Sequence, residues 1–269
     1  MAEVLLKPKE KIGMGITVEA EVIRPDVFAG KSRKEIEGLL VWQGPAKLPL
    51  GEFFDVEIQG NQGNGSSEET TIVIEGDVSR VKRIGQGMKT GKIEVLGTAG
   101  MHLGSEMVGG SILVRGDAGS WAGMEMKGGL IRILGSAGDH VGSAYRGSWR
   151  GMTGGQIQIV GNARSQLGGG LVGGQIVVEG NVENFCAIRQ SGGLILVKGS
   201  AVRGVGAEMT GGTLAVCGEI SRLTPGFMEV GLEENPLLGD LQLDGRFTKF
   251  TGDYAVSKNP KGSLYWREV

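Results

Sequence analysis

Short aliphatic runs recur through the middle of the chain, each closed by a glycine. The closing glycines are Gly76, Gly97, Gly116, Gly135, Gly161, Gly180, Gly199 and Gly218, at intervals of 21, 19, 19, 26, 19, 19 and 19 residues. Four residues before them stand Ile72, Ile93, Ile112, Ile131, Ile157, Ile176, Ile195 and Leu214. Two before them stand Ile74, Val95, Val114, Ile133, Ile159, Val178, Val197 and Val216. All are aliphatic and nearly all β-branched, which suits a pleated strand. A spacing of two puts both columns on one face. Each run follows further glycines: Gly91, the pairs beginning at Gly109, Gly128, Gly154, Gly173, Gly192 and Gly211, and Gly231. A unit of about nineteen residues is too short for a strand and a packed crossover helix. It fits one coil of a solenoid that turns at glycines. Parallel crossovers are right-handed by strong preference. The pattern therefore predicts an all-β fold, a right-handed parallel β-helix of about eight coils over residues 71–231. No six-residue aliphatic rhythm and no GGxGxD unit points to another solenoid.

A further column fills the interior. Met88, Met107, Met126, Met152, Leu171, Gln190, Met209 and Met228 stand three residues before the second glycine of each unit and hold six of the chain's ten methionines. Thioethers fill irregular core space. As a metal-binding row they lack His or Cys companions.

The outward strand positions are too apolar for a solvated face. One and three residues before the closing glycines they include Leu96, Leu113, Leu134, Val160, Val177 and Leu196. These are the candidate subunit interface, with coverage by the chain's own termini as the alternative. The 26-residue interval carries an insertion, Ser143 to Trp149. Its Tyr145, Arg146 and Trp149 are residue types favoured as interface anchors, so Tyr145 and Trp149 join the candidate surface.

The flanks depart from the repeat. Residues 1–70 read as a small α+β cap or docking segment. Ser32 to Glu35 matches a capping box opening a short helix. Val41 with Trp42, and Glu52 to Ile58, read as strands, and residues 59–70 as a loop. Residues 232–269, with Phe247, Phe250, Tyr254, Tyr265 and Trp266, read as a second cap or a docking tail.

Composition adds limits. The 269 residues carry a net charge of −2, which gives no pull toward nucleic acid or anionic membrane. There are 51 glycines, but their fixed interval argues for structure and against disorder. No signal-type apolar run opens the chain and no apolar stretch is long enough to span a bilayer. With only Cys186 and Cys217 as thiols, a reduced cytoplasmic setting is expected. His102 and His140 fall five residues after a closing glycine, in one column with Trp121, Gln166 and Phe185. At a coil spacing of about 4.8 Å the histidines stand about 9.6 Å apart, too far to share a metal ion. A stacked ladder is the expectation. Glu106, Glu125 and Glu208 recur at one repeat position and read as a solvated edge. Gly85-Gln86-Gly87-Met88 imitates a nucleotide loop without the strand and helix such a loop requires. No residue of the chain is picked out as catalytic, cofactor-binding or metal-ligating.

The repeat with its glycine pairs looks like the glycine-rich β-helix domain of glutamate synthase large subunits. Across nearly the whole chain, the segments Arg24 to Ser32 and Leu50 to Val56, together with the repeats, resemble the C subunit of archaeal formylmethanofuran dehydrogenase. The resemblance implies a complex that reduces CO2 and fixes it as formylmethanofuran. It implies partner subunits with a molybdenum or tungsten pterin, iron–sulfur clusters, and an amidohydrolase-like binuclear metal site. It also implies that the C subunit holds no cofactor and keeps the catalytic subunits together. The C subunit of the related formyltransferase/hydrolase complex, a stand-alone β-helix carbohydrate-active enzyme and a ligand-binding module remain alternatives.

Overall fold

The computed structural model describes residues 2–13, 15–60 and 66–267. Residues 61–65 of the expected 59–70 loop lie outside the described residues. The fold is all-β, with two short helices and three single 3-10 turns among the described residues.

Eight short strands carry the aliphatic columns: Thr70–Ile74, Lys92–Val95, Ser111–Val114, Leu130–Ile133, Gln156–Ile159, Gln175–Val178, Ser191–Val197 and Gly211–Val216. Each pairs in parallel with the next, isoleucine opposite isoleucine, as at Ile93 with Ile112 and Ile131 with Ile157, until the last pair sets Ile195 opposite Leu214. All sixteen inward residues are essentially buried. Burying each such side chain is worth about 1.5–3 kcal/mol.

Two interior columns were not anticipated. Val78, Ala99, Ala118, Ala137, Ala163, Val182 and Ala201 join in one line of parallel bridges, two residues after each closing glycine. Leu103, Ala122, Val141, Leu167, Cys186 and Val205, four residues further on, are also buried. The methionine column is buried from Met88 to Met209. Gln190 belongs to it because its amide donates to the carbonyls of Gly192, Gly193 and Thr213 at 2.9, 3.1 and 3.2 Å.

Met228 and Gly231 depart from expectation: they close no further repeat. They lie in the strand Met228–Glu234, which pairs antiparallel with Arg246–Gly252, and Met228 is 57% exposed. The parallel place beside Gly211–Val216 is taken by Gly262–Arg267, which supplies buried Leu264 in register with Leu214. At the other end Ala2–Pro8 pairs parallel with Thr70–Ile74 and antiparallel with Phe54–Gln59. Val4 and Leu6 thereby continue the inward columns.

Of the helices, Pro25–Phe28 buries Phe28. Arg33–Glu37 opens on the expected capping box, with Ser32 N–H donating to Glu35 Oε2 at 2.8 Å. The strand read at Val41 and Trp42 is Leu40–Gln43, in a hairpin with Ala46–Pro49. That read from Glu52 begins two residues later, at Phe54, behind the 3-10 turn Leu50–Glu52. Among the described residues no helix is long and apolar enough to cross a membrane.

Candidate docking surfaces

The outward face of the repeat strands divides into two parts. At one end Leu238, Leu243, Phe247 and Tyr265 pack over Leu196 and Ala215, with Val177 and Leu241 at the margin. Leu196 is only 3% exposed. The chain's own C-terminal segment thus closes the Leu196 part of the candidate surface. Toward the other end, Leu96 and Val160 stay open at 41% and 45% exposure, and Leu113 and Leu134 are half-buried. Polar rungs interrupt the face: Arg115 pairs with Glu94 at 2.6 Å in the open part and Lys198 with Glu179 at 2.9 Å toward the covered end. A cleft of about 280 Å³ lined by Arg132, Val160, Val177, Leu196 and Leu241 marks where the two parts meet.

The second surface is built by the corner that follows each closing glycine by five residues. The backbone there is left-handed although the residues are not glycine: φ is 62° at His102, 68° at Trp121, 62° at His140, 62° at Gln166 and 60° at Phe185. That conformation costs an L-residue about 1–2 kcal/mol, so assigning all such corners to glycine was incomplete. Three of these side chains meet across successive repeats. Trp121 stacks on His140 with centroids 4.0 Å apart and planes 10° apart, and on His102 at 6.0 Å and 12°. The expected ladder is present. Burial holds both histidines below the usual imidazole pKa. Arg83 and Lys82 push His102 the same way, outweighing Glu19. At His140, Asp139 opposes the shift and Arg146 adds to it.

The insertion leaves the repeat shortly after His140 of this ladder. Together they enclose a cavity of about 390 Å³, lined by Trp121, His140, Gln166 and Phe185 on one side and by Tyr145, Arg146 and Trp149 on the other. Tyr145 and Trp149 are 52% and 62% exposed at its rim. Sequence spacing singled out the ladder and the insertion separately. It did not show that they face each other, nor that Arg189 joins them.

The recurring carboxylates are each engaged differently. Glu106 accepts from Gln86 Nε2 at 3.1 Å, Glu125 from the Tyr145 N–H at 3.0 Å, and Glu208 from Arg189 Nε at 2.8 Å. Cys186, enclosed in the interior, has its thiol pKa pushed up by burial to about 12. Among the described residues no group of three or more His, Cys, Asp or Glu side chains is placed to hold a metal ion.

One polar feature escaped the sequence reading. From Asp117 to Ser200 the residue after the closing glycine lends its side chain to the backbone of the next repeat. Asp117 Oδ1 accepts from Ser136 N–H at 2.7 Å, Ser136 Oγ from Asn162 N–H at 3.1 Å, Asn162 Oδ1 from Asn181 N–H at 2.8 Å, and Asn181 Oδ1 from Ser200 N–H at 2.8 Å. The signal was there: Asp, Ser and Asn cluster at that one repeat position.

No family model matches the chain. Relatives with known roles do. It is 73% identical over 265 residues, 98% of this chain and 86% of the relative, to the C subunit of molybdenum-containing formylmethanofuran dehydrogenase 1 from Methanosarcina barkeri. It is 44% identical over 105 residues, 39% of this chain and 37% of the relative, to the C subunit of tungsten-containing formylmethanofuran dehydrogenase 2 from Methanothermobacter wolfeii. Among solved structures it is similar to a chain of the formyltransferase/hydrolase complex of Methylorubrum extorquens determined with methylofuran. That match has a TM-score of 0.84 and 28% identity, covering 98% of this chain and 100% of that one. On the near-full-length identity, the chain belongs to the C-subunit family of formylmethanofuran dehydrogenase.

Proposed function

We propose that the chain is a non-catalytic wall that holds catalytic subunits in place within a complex reducing CO2 and fixing it as formylmethanofuran. The observation that carries this reading is the open stripe from Leu96 to Val160. A parallel sheet is ordinarily buried on both faces, yet here the C-terminal segment covers only one end. In this reading residues 71–231 wind as a right-handed parallel β-helix, and residues 1–70 and 232–269 form its ends. Support for the winding comes from the in-register parallel pairing of successive repeats and from the second line of bridges from Val78 to Ala201. The partners are a molybdenum or tungsten pterin subunit, an amidohydrolase-like subunit with a binuclear metal site, and iron–sulfur subunits, assembled in the cytoplasm. Support for a subunit role comes from the names of the relatives and from the complex in which the structural neighbour was solved.

Native purification tests this. The chain should elute with larger subunits that carry molybdenum or tungsten by elemental analysis. Elution as a lone monomer, with its own activity on a glycan, would contradict the reading.

A further inference from the structure

The cavity beside the insertion has a rim of unusual chemistry. Arg150 lies over the Trp149 ring, 4.5 Å from its centroid. Among the described residues neither Arg146 nor Arg150 pairs with a carboxylate, whereas Arg189 is neutralised by Glu208 at 2.8 Å. Of the nearby acids, Glu125 accepts the Tyr145 N–H at 3.0 Å and Asp139 the Ser165 N–H at 3.2 Å, and neither forms an ion pair with the two arginines. Two guanidinium groups without a carboxylate partner thus lie beside two exposed aromatic rings.

The depth of the cavity offers a planar small molecule little. Both faces of Trp121 are already covered, by His140 at 4.0 Å and His102 at 6.0 Å. Phe185 in the lining is 37% exposed, but the most exposed rings, Tyr145 and Trp149, are at the rim, where a macromolecule makes contact. Exposed Trp, Tyr and Arg grouped in this way are the side chains that anchor protein interfaces. Guanidinium groups bind carboxylates with fixed geometry and set which partner is accepted.

We propose that this cavity receives an acidic segment of a neighbouring subunit. An apolar side chain of that segment enters between Tyr145 and Trp149, and its carboxylates meet Arg146 and Arg150. The proposal rests on the reading of the chain as a subunit of a larger complex. It adds a docking site separate from the Leu96-to-Val160 stripe and states the partner's chemistry.

The test uses the assembled complex carrying Arg146→Lys and Arg150→Lys. Zero-length carbodiimide coupling joins an amine only to a carboxylate in direct contact. Peptide mass spectrometry should find positions 146 and 150 joined to an acidic segment of another subunit. In a second preparation, Arg146→Glu with Arg150→Glu should lower the salt concentration at which that subunit dissociates at least twofold, with the chain's Tm unchanged. Reversing the charge of the cross-linked segment should restore it. Links only within this chain or to a second copy of it would overturn the proposal. So would loss of a bound small anion, seen by native mass spectrometry, with every subunit retained. If the charge-reversed complex stays intact while substitutions in the Leu134 and Val160 stripe break it, the docking site fails and the wall reading stands. If the chain never co-elutes with other subunits, both fail.

Discussion

Gly123 and Ile157 pack so closely that a Cβ on Gly123 would stand 2.4 Å from Ile157 Cδ1. The relationship recurs from repeat to repeat: Gly85 with Ile112 at 2.6 Å, Gly104 with Ile131 at 2.6 Å, Gly142 with Ile176 at 2.6 Å and Gly168 with Ile195 at 2.3 Å. The one repeat with alanine at this corner, Ala187, has Leu214 in place of isoleucine at the matching strand position. The corner glycine thus leaves room for the isoleucine column; its φ of +62° is shared by Ala187, so the backbone conformation alone does not demand glycine.

Gly123→Ala should therefore destabilise the chain by about 1–3 kcal/mol. Ile157→Val removes the colliding Cδ1, so the double variant should be more stable than the two single effects added together. Urea unfolding of the four species reads this. Strict additivity would mean that the two residues do not meet.

The repeat, its inward columns and the histidine–tryptophan ladder were legible because each is a local pattern of fixed spacing. The two ends were not. Ala2–Pro8 and Gly262–Arg267 join the sheet from opposite termini, and such distant pairing leaves no periodic trace in the residues themselves. Met228 and Gly231 reproduce the repeat spacing by position alone. The run that follows them ends in Glu233 and Glu234, so it offers no inward aliphatic pair for a further repeat. The cavity was legible only in halves, because an insertion's sequence does not say which way the loop folds back.

Acid should weaken the ladder. Both histidines are held below the ordinary value of 6.5, so the unfolded chain takes up protons that the folded chain refuses. The stability that depends on their neutrality is complete above pH 6.5 and is lost as pH falls below it. Glutamine already occupies this column at Gln166, so His102→Gln with His140→Gln should fold. The fall in Tm between pH 7 and pH 5 should be smaller in that variant than in the wild type. Parallel curves would show that the histidines do not titrate with folding.

The side-chain ladder after the closing glycines makes a separate prediction. Asn181→Ala leaves the Ser200 N–H without its acceptor and should cost about 1 kcal/mol. Asn181→Asp keeps an acceptor oxygen, as Asp117 does for Ser136 at 2.7 Å, and should be close to neutral. Chemical denaturation of the two variants separates the cases. Equal losses would assign the effect to something other than this hydrogen bond.

The most direct test of the wall reading is Leu134→Glu with Val160→Glu, both on the open stripe, Val160 at the cleft where it meets the C-terminal cover. Gel filtration of the native complex, with molybdenum and tungsten measured across the profile, is the readout. If the stripe is where the catalytic subunits are held, the variant chain folds with a Tm close to wild type but elutes apart from the metal-bearing subunits. A variant that remains in an intact complex with its full metal content would contradict it.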